Sequence, residues 1–278
     1  MENIFPIAFT KMNGTGNDFL IIDHRDGVIP VDRQAEFAGR VCRRMFSVGA
    51  DGLILIEDSD KADFRWRFYN SDGSMPEMCG NGARCAARFA YRTGIAGRNM
   101  RFETLAGIIE AEICADEDVR IRMTDPFGLQ DDFSLNIGGR EMAASFVNTG
   151  VPHAVLFVDN DDAPVREWGP EVRFHPMFQP DGTNANFVTI RGPGEILART
   201  YERGVEDETR ACGTGAVAAA IIASIKKHVV SPVVVVTSGG DRLTIEFELR
   251  NGTRAENVYL KGPARIVYRG ELTAEALL

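Results

Sequence analysis

The chain has no excess of positive charge, no long apolar run and only four histidines among its 278 residues. Each shortage removes a class of function. Lysine and arginine total 31 against 40 acidic residues, for a net charge of -9. Phosphate backbones require a basic face, so this balance argues against nucleic acid as a partner. No apolar stretch reaches the ~20 residues that a membrane-spanning helix needs. The opening MENIFPIAFTKM has neither a basic n-region nor a small-residue cleavage site, so no signal peptide is expected. The five cysteines are odd in number and lack short regular spacings, unlike a disulfide framework. The class expected is a reduced, cytoplasmic enzyme. His24, His153, His175 and His228 are scattered without metal-ligand spacing, and nothing points to a Schiff-base lysine. NGTGND lacks the Lys-Ser/Thr ending of a phosphate loop and leads into a strand.

What the chain does have is many short β-like runs. FLIID, LILIE, FRWRFY, IIEAEI, AVLFVD, VVVVT, LTIEFEL and ARIVY are punctuated by Gly, Asn and Asp. Helices are fewer. VDRQAEFAGRVCRRM carries apolar residues at helical spacing, with an acidic-to-basic gradient that suits the helix dipole. Strands that outnumber helices, without regular βαβ alternation, indicate an α+β fold. The length is about twice the common domain size of roughly 100–150 residues, which favours two domains.

The chain also repeats itself. MCGNGARCAARF (78–89) and ACGTGAVAAAII (211–222) share a Cys-Gly-polar-Gly-Ala string followed by a small-residue helix. Around them, MNGTGNDFLIID resembles FVNTGVPHAVLFVD, and RFYNSDGSMPEMCGNGA aligns with RTYERGVEDETRACGTGA with one insertion. TLAGIIEAEI matches SGGDRLTIEFEL in the same order. The pattern predicts two copies of one fold joined in the polar, Gly-containing region 126–142.

Cysteine and glycine at a helix start have a specific physical use. The first turn leaves N–H groups without intrahelical partners and carries partial positive charge. Glycine admits a ligand close to the backbone, so such a tip can hold a carboxylate. It also favours thiolate over thiol. Two such tips facing each other would flank a single carboxylate, and the carbon beside it would lie between two thiols. One thiolate could then take a proton while the other thiol supplied one to the opposite face, inverting that carbon. A single C-G-x-G is more simply a core cysteine in a Gly-rich turn; the repetition in matching halves is what weakens that reading.

The other residues of these helices have plainer explanations. GAVAAAIIASI is apolar nearly all round, as a buried central helix would be. Arg84, Arg88 and Arg92 fall on one stripe, for which a solvated face is expected. Cys42, Cys85 and Cys114 are expected to be packing residues. A thiol redox protein would pair its cysteines closely, as in C-x-x-C, and a cysteine hydrolase would leave the second thiol unexplained.

The set KMNGTGNDF, GADGLILIE, YNSDGS, MCGNGARCAARF, NTGVPHAV, TNANFV and YERGVEDETRACGTGA resembles the diaminopimelate epimerase family over nearly the whole chain. The resemblance implies two similar domains, 1–118 plus 263–278 and 119–262, each a mostly antiparallel sheet wrapped around a central helix, with the active site in the cleft between them. It implies a cofactor-independent isomerase that interconverts LL- and meso-diaminopimelate in lysine and cell-wall precursor biosynthesis. A two-cysteine racemase of another amino acid is the alternative. Cys79 and Cys212 are the implied catalytic pair. Asn17, Asn70, Gly80, Asn81, Asn184, Glu202, Arg203, Gly213 and Thr214 are the implied substrate-binding residues, with Arg203 on the second carboxylate. His153 and Glu202 match groups that tune the thiols. The implied partner is a small-molecule substrate, with no nucleic acid, membrane or metal, and the implied assembly is a homodimer. Two positions depart from the pattern: Val151 stands where some members have Asn, and Gly52 where some have Gln. The distal end of the substrate is therefore expected to rest mainly on main chain and Arg203.

Overall fold

The computed structural model describes residues 4–278, which fall into two compact units. The first unit runs to Ile121 and regains Gly262–Leu278; the second is Arg122–Lys261. In chain order the first contains β1 (Ile7–Gly14), β2 (Asn17–Asp23), α1 (Val31–Val41), β3 (Gly52–Glu57) and β4 (Phe64–Asn70). It continues through α2 (Gly80–Arg92), β5 (Asn99–Thr104), β6 (Gly107–Ile113) and β7 (Val119–Arg122). The second begins with β8 (Phe127–Ile137), β9 (Arg140–Asn148), β10 (Pro152–Phe157), α3 (Val165–Arg173) and β11 (Asn184–Gly192). Then come β12 (Glu195–Glu202), β13 (Asp207–Thr209), α4 (Gly213–Ile225), β14 (Val233–Thr237), β15 (Arg242–Arg250) and β16 (Arg254–Gly262). A final strand, β17 (Arg265–Leu272), returns to pair with β1.

Strand pairing carries the duplication. From β17 through β1 to β7, successive neighbours run antiparallel, antiparallel, parallel, antiparallel, parallel, antiparallel, antiparallel. From β8 to β16, with the short β13 set aside, the series is the same. A parallel neighbour requires a crossover connection. The first parallel pair of each unit is bridged by α1 or α3, and the second by α2 or α4. The two cysteine-led helices thus occupy the same place in the same topology. Within its own unit, α2 packs against β1, β2, β3 and β6, and α4 against β9–β12, β14 and β15. Each helix is packed against several strands of its own unit, as the family resemblance implied.

Burial explains why these segments are helices. Every residue from Gly215 to Ala223 is buried, so α4 needs no polar face. Val217, Ile221 and Ile222 are at most 1% exposed, each contributing about 1.5–3 kcal/mol of apolar burial. A separate cluster in the first unit packs Phe37, Ala38 and Val41 of α1 against Leu20, Ile22, Leu53 and Leu55.

Four expectations need correction. The helix expected over VDRQAEFAGRVCRRM stops at Val41, with Cys42 as its cap; the chain then turns through Met45 at φ 71°. The region 126–142, expected to be the join, lies inside the second unit. It is the β8–β9 hairpin turning at Gly138 and Gly139, whose φ values are 60° and 73°. Its polarity belongs to exposed strand faces. Helix α3 was not among the expected helices; its internal Gly169-Pro170 is a turn signal that burial of Val165 and Val172 against the sheet overrides. Finally, Arg84 is fully buried, Arg88 half-buried and only Arg92 exposed, so the arginine stripe is not a solvated face.

Candidate active site

Cys79 is the N-cap residue of α2, with extended backbone at φ -145° and ψ 113°. Its Sγ accepts from Gly82 N at 3.5 Å, so one of the orphan donors of the first turn faces the sulfur. The same Sγ lies 3.6 Å from Asn17 Oδ1. The orientation of Asn17 is fixed because its Nδ2 donates to Asp51 Oδ2 at 2.7 Å. Cys79 therefore has a partner in either protonation state. A thiolate accepts from Gly82, and a thiol donates to Asn17.

The rest of this tip is tied to the β1–β2 hairpin. Thr15 and Gly16 form its two-residue turn, at φ 54° and 86°. A β-branched residue at positive φ is strained, by roughly 1–3 kcal/mol. Thr15 Oγ1 donates to Asn81 Oδ1 at 3.0 Å and accepts from Arg84 Nη2 at 3.0 Å. Arg84 Nη2 also reaches Asn81 Oδ1 at 2.9 Å, and Nη1 reaches Gly80 O at 3.2 Å. Strained turn, asparagine and buried guanidinium together fix the first turn of α2. Gly80 has open space where a Cβ would stand, with no contact closer than 3.8 Å. The side-chain oxygen of Asn81 is thus directed into the protein, where it is held by Thr15 and Arg84.

Cys212 is the N-cap residue of α4 with the same extended backbone, at φ -115° and ψ 111°, and makes no side-chain cap hydrogen bond. Its Sγ lies 3.5 Å from Thr214 Oγ1, a hydroxyl able to donate or accept. Thr149, from the Asn-Thr-Gly turn after β9, donates to Thr214 O at 3.0 Å. Thr149 is thus the counterpart of Thr15. At Gly213 a Cβ would meet Leu260 Cδ1 at 3.3 Å. At Gly215 it would lie 2.4 Å from Asn186 Oδ1, so any side chain there would force Asn186 to shift. Asn186 went unremarked in the sequence, although Asn-Ala-Asn in a strand puts Asn184 and Asn186 on one face.

The remaining candidates of the second unit are on β10, β11 and the end of β12. His153, on β10, is fully buried; burial, with the charge of Arg203 added, pushes its pKa down to about 3. Asn184 donates to Pro152 O at 2.9 Å and accepts from Arg203 N at 2.8 Å, so its side chain fixes the backbone on which Arg203 is mounted. Arg203 Nη1 donates to Asp181 O at 2.9 Å. Glu202 ends β12, and burial pushes its carboxyl pKa up against the opposing Thr209 hydroxyl. In the first unit, Asn70 closes β4, its Nδ2 donating to Ser74 Oγ at 2.9 Å.

The other thiols contrast with these. Cys42 and Cys85 are buried, and burial pushes both pKa values up to about 12. Neither is a nucleophile or base near neutral pH. Cys114 is half-buried just beyond β6.

The diaminopimelate epimerase family model matches residues 9–127 and 145–267, a segment spanning most of each unit. The chain belongs to the diaminopimelate epimerase family. It is an isomerase of a small molecule in the diaminopimelate route to lysine. A diaminopimelate epimerase of Aquifex aeolicus is 46% identical, with 98% of this chain and 99% of that protein covered. One from Chlorobaculum tepidum is 43% identical, covering 94% and 100%. Among solved structures, a phenazine biosynthesis protein of the PhzF family from Bacillus anthracis shares the fold. Its TM-score is 0.74 at 15% identity, covering 96% of this chain and 98% of that one. A hydroxyproline epimerase from Agrobacterium vitis follows at TM-score 0.67 and 16% identity, covering 97% and 93%.

Of the two departures from the family pattern, Gly52 has a physical cause. A Cβ there would lie 2.5 Å from Phe68 Cε2 and 2.7 Å from Tyr69 O, so glutamine would require β3 and β4 to move apart. Val151 is half-buried, and its carbonyl accepts from Thr149 N at 3.1 Å. Among the described residues, no helix is long and apolar enough to cross a membrane.

Proposed function

We propose that the chain interconverts LL- and meso-diaminopimelate with Cys79 and Cys212 as alternating base and acid. In one direction a thiolate removes the α-hydrogen as a proton and becomes a thiol. The electron pair left behind delocalises into the adjacent carboxylate, where main-chain N–H groups of the helix tips stabilise it. The other thiol delivers its proton to the opposite face of the carbon and becomes a thiolate. Product leaves with the roles exchanged, and the reverse reaction begins from that state.

The observation that carries this reading is the double partnering of Cys79. A residue that must be thiolate in one direction and thiol in the other needs both forms held in place, and Gly82 N–H and Asn17 Oδ1 offer the two contacts. In this reading Glu202 and His153 are the groups that tune the thiols, as buried residues of the second unit with shifted pKa values. Arg203, on its asparagine-fixed backbone, receives the distal carboxylate through a bidentate fork. The reading includes a homodimer in the cytoplasm, the first checked by light scattering. Incubation of the protein with LL-diaminopimelate should yield the meso isomer on chiral chromatography. Unchanged LL isomer beside a folded, reduced enzyme would contradict it.

A further inference from the structure

The proton on one buried imidazole can be located from its neighbours. His153 Nδ1 lies 3.1 Å from Asn186 Nδ2, a contact that alone leaves the tautomer open. Asn186 closes the question. Its Nδ2 is also 2.9 Å from Ala154 O, and its Oδ1 is 2.9 Å from Thr200 Oγ1. A backbone carbonyl only accepts, so turning the amide over would set two oxygens against each other. The two N–H bonds of Asn186 therefore serve Ala154 O and His153 Nδ1, and Nδ1 must accept. A neutral imidazole then carries its proton on Nε2. That Nε2 is buried and has no hydrogen-bond partner among the described residues.

The network also touches the thiol-bearing turn. Asn186, His153 and Thr200 are at most 3% exposed. The Cβ position of Gly215 lies 2.4 Å from Asn186 Oδ1, 3.1 Å from Thr200 Oγ1 and 3.3 Å from Cys212 Cβ. The amide that orients the imidazole is thus wedged into the first turn of α4. A buried donor lacking an acceptor is expensive, and its retention fits an acceptor that arrives with the substrate.

We infer that Asn186 is a positioning residue that holds His153 as the Nε2–H tautomer, so the imidazole serves the site as a neutral hydrogen-bond donor and not as a base toward a thiol. The tautomer rests on local geometry; its use in the reaction rests on the epimerase reading above. Depression of the His153 pKa keeps the ring uncharged at neutral pH.

Long-range ¹H–¹⁵N spectra of the reduced enzyme, assigned against His153→Asn, test this directly. The expected spectrum shows a protonated Nε2 and an unprotonated Nδ1, with the Nε2 signal shifting on addition of diaminopimelate while its proton is kept. Asn186→Asp puts an acceptor at Nδ1 and should move the proton there, with turnover falling at least tenfold. Asn186→Ala should give both tautomers in exchange. An Nδ1–H or doubly protonated ring in the wild type at neutral pH overturns the inference, as does an unchanged tautomer in folded Asn186→Asp. The wild-type spectrum decides the matter even if the variants misfold. Epimerisation by a protein whose His153 carries Nδ1–H contradicts this inference alone; the Nε2–H tautomer in a protein inert toward diaminopimelate supports the tautomer and removes the epimerase reading.

Discussion

The two cysteine tips share a backbone plan and differ in how they are braced. Both begin with an extended cap residue, a glycine, a polar residue and a second glycine, and both are gripped by a threonine from a preceding Gly-containing turn. In α2 the brace is charged: buried Arg84 ties Asn81, Thr15 and Gly80 together. In α4 the matching position is Val217, inside an apolar helix, and the brace is the neutral Asn186–Thr200–His153 network pressed on Gly215. One duplicated fold thus holds two like sulfurs by unlike means. Sequence identity between halves is kept at the cap cysteine and the two glycines, and lost where any sufficiently stiff neighbour will do.

The largest way to break the comparison is at the sulfurs. Cys79→Ala and Cys212→Ala should each lower turnover by about 10²–10⁴-fold or more, the range removed with a general acid or base, while circular dichroism stays unchanged. Cys42→Ala and Cys85→Ala should alter only the melting temperature. Near-normal epimerisation by either folded tip variant would remove the symmetry of roles.

Next comes His153, whose effect is on stability. Its folded pKa, about 3 against an ordinary 6.5, means that the unfolded chain binds a proton that the native state refuses. The native state therefore loses stability as pH falls below about 6.5, by up to about 5 kcal/mol once pH approaches 3. Denaturant titrations of wild type and His153→Asn should diverge steadily across that window. Parallel curves would mean that the ring titrates normally.

Arg84→Leu should cost about 2–4 kcal/mol, because buried acceptors lose a charged donor, and should also lower turnover by loosening Gly80 and Asn81. Val217→Ala should cost about 2 kcal/mol through a cavity with turnover nearly intact. Chemical denaturation combined with initial rates separates the two, and equal kinetic losses would erase the difference between charged and neutral bracing.

The smallest effect sharpens the contrast between glycines. Gly215→Ala forces a contact with Asn186 and should cost about 1–3 kcal/mol, whereas at Gly80 an alanine meets nothing closer than 3.8 Å and should leave the melting temperature almost unchanged. Thermal melts of both variants check this.

The duplication, the fold class and the two cysteine-capped helix tips were legible in the sequence because each is a local or repeated pattern. Turn chemistry marks the strand ends, and Cys-Gly-x-Gly-Ala marks the helix tips twice. What was hidden depended on long-range contacts. Arg84 looked solvated because a stripe at i, i+4, i+8 cannot reveal that Thr15, on a hairpin far away in sequence, meets it. Asn186 was passed over for Asn184 although both share a strand face, since only the packing shows which one faces His153 and Gly215. Helix α3 contains Gly169-Pro170, whose turn signal is overridden by burial of flanking valines. The 126–142 segment was mistaken for a join because a hairpin with exposed faces has a linker's composition.

Proton bookkeeping tests the division of labour between the two tips most directly. A thiol carries one proton, so the base that takes the substrate hydrogen is not the source of the one delivered. When LL-diaminopimelate is epimerised in D2O and sampled in the first few per cent of conversion, meso product should carry one solvent deuterium at the inverted carbon. Recovered LL isomer should remain protiated. Equal early labelling of both isomers, read by mass spectrometry after chiral separation, would contradict two monoprotic thiols acting on opposite faces.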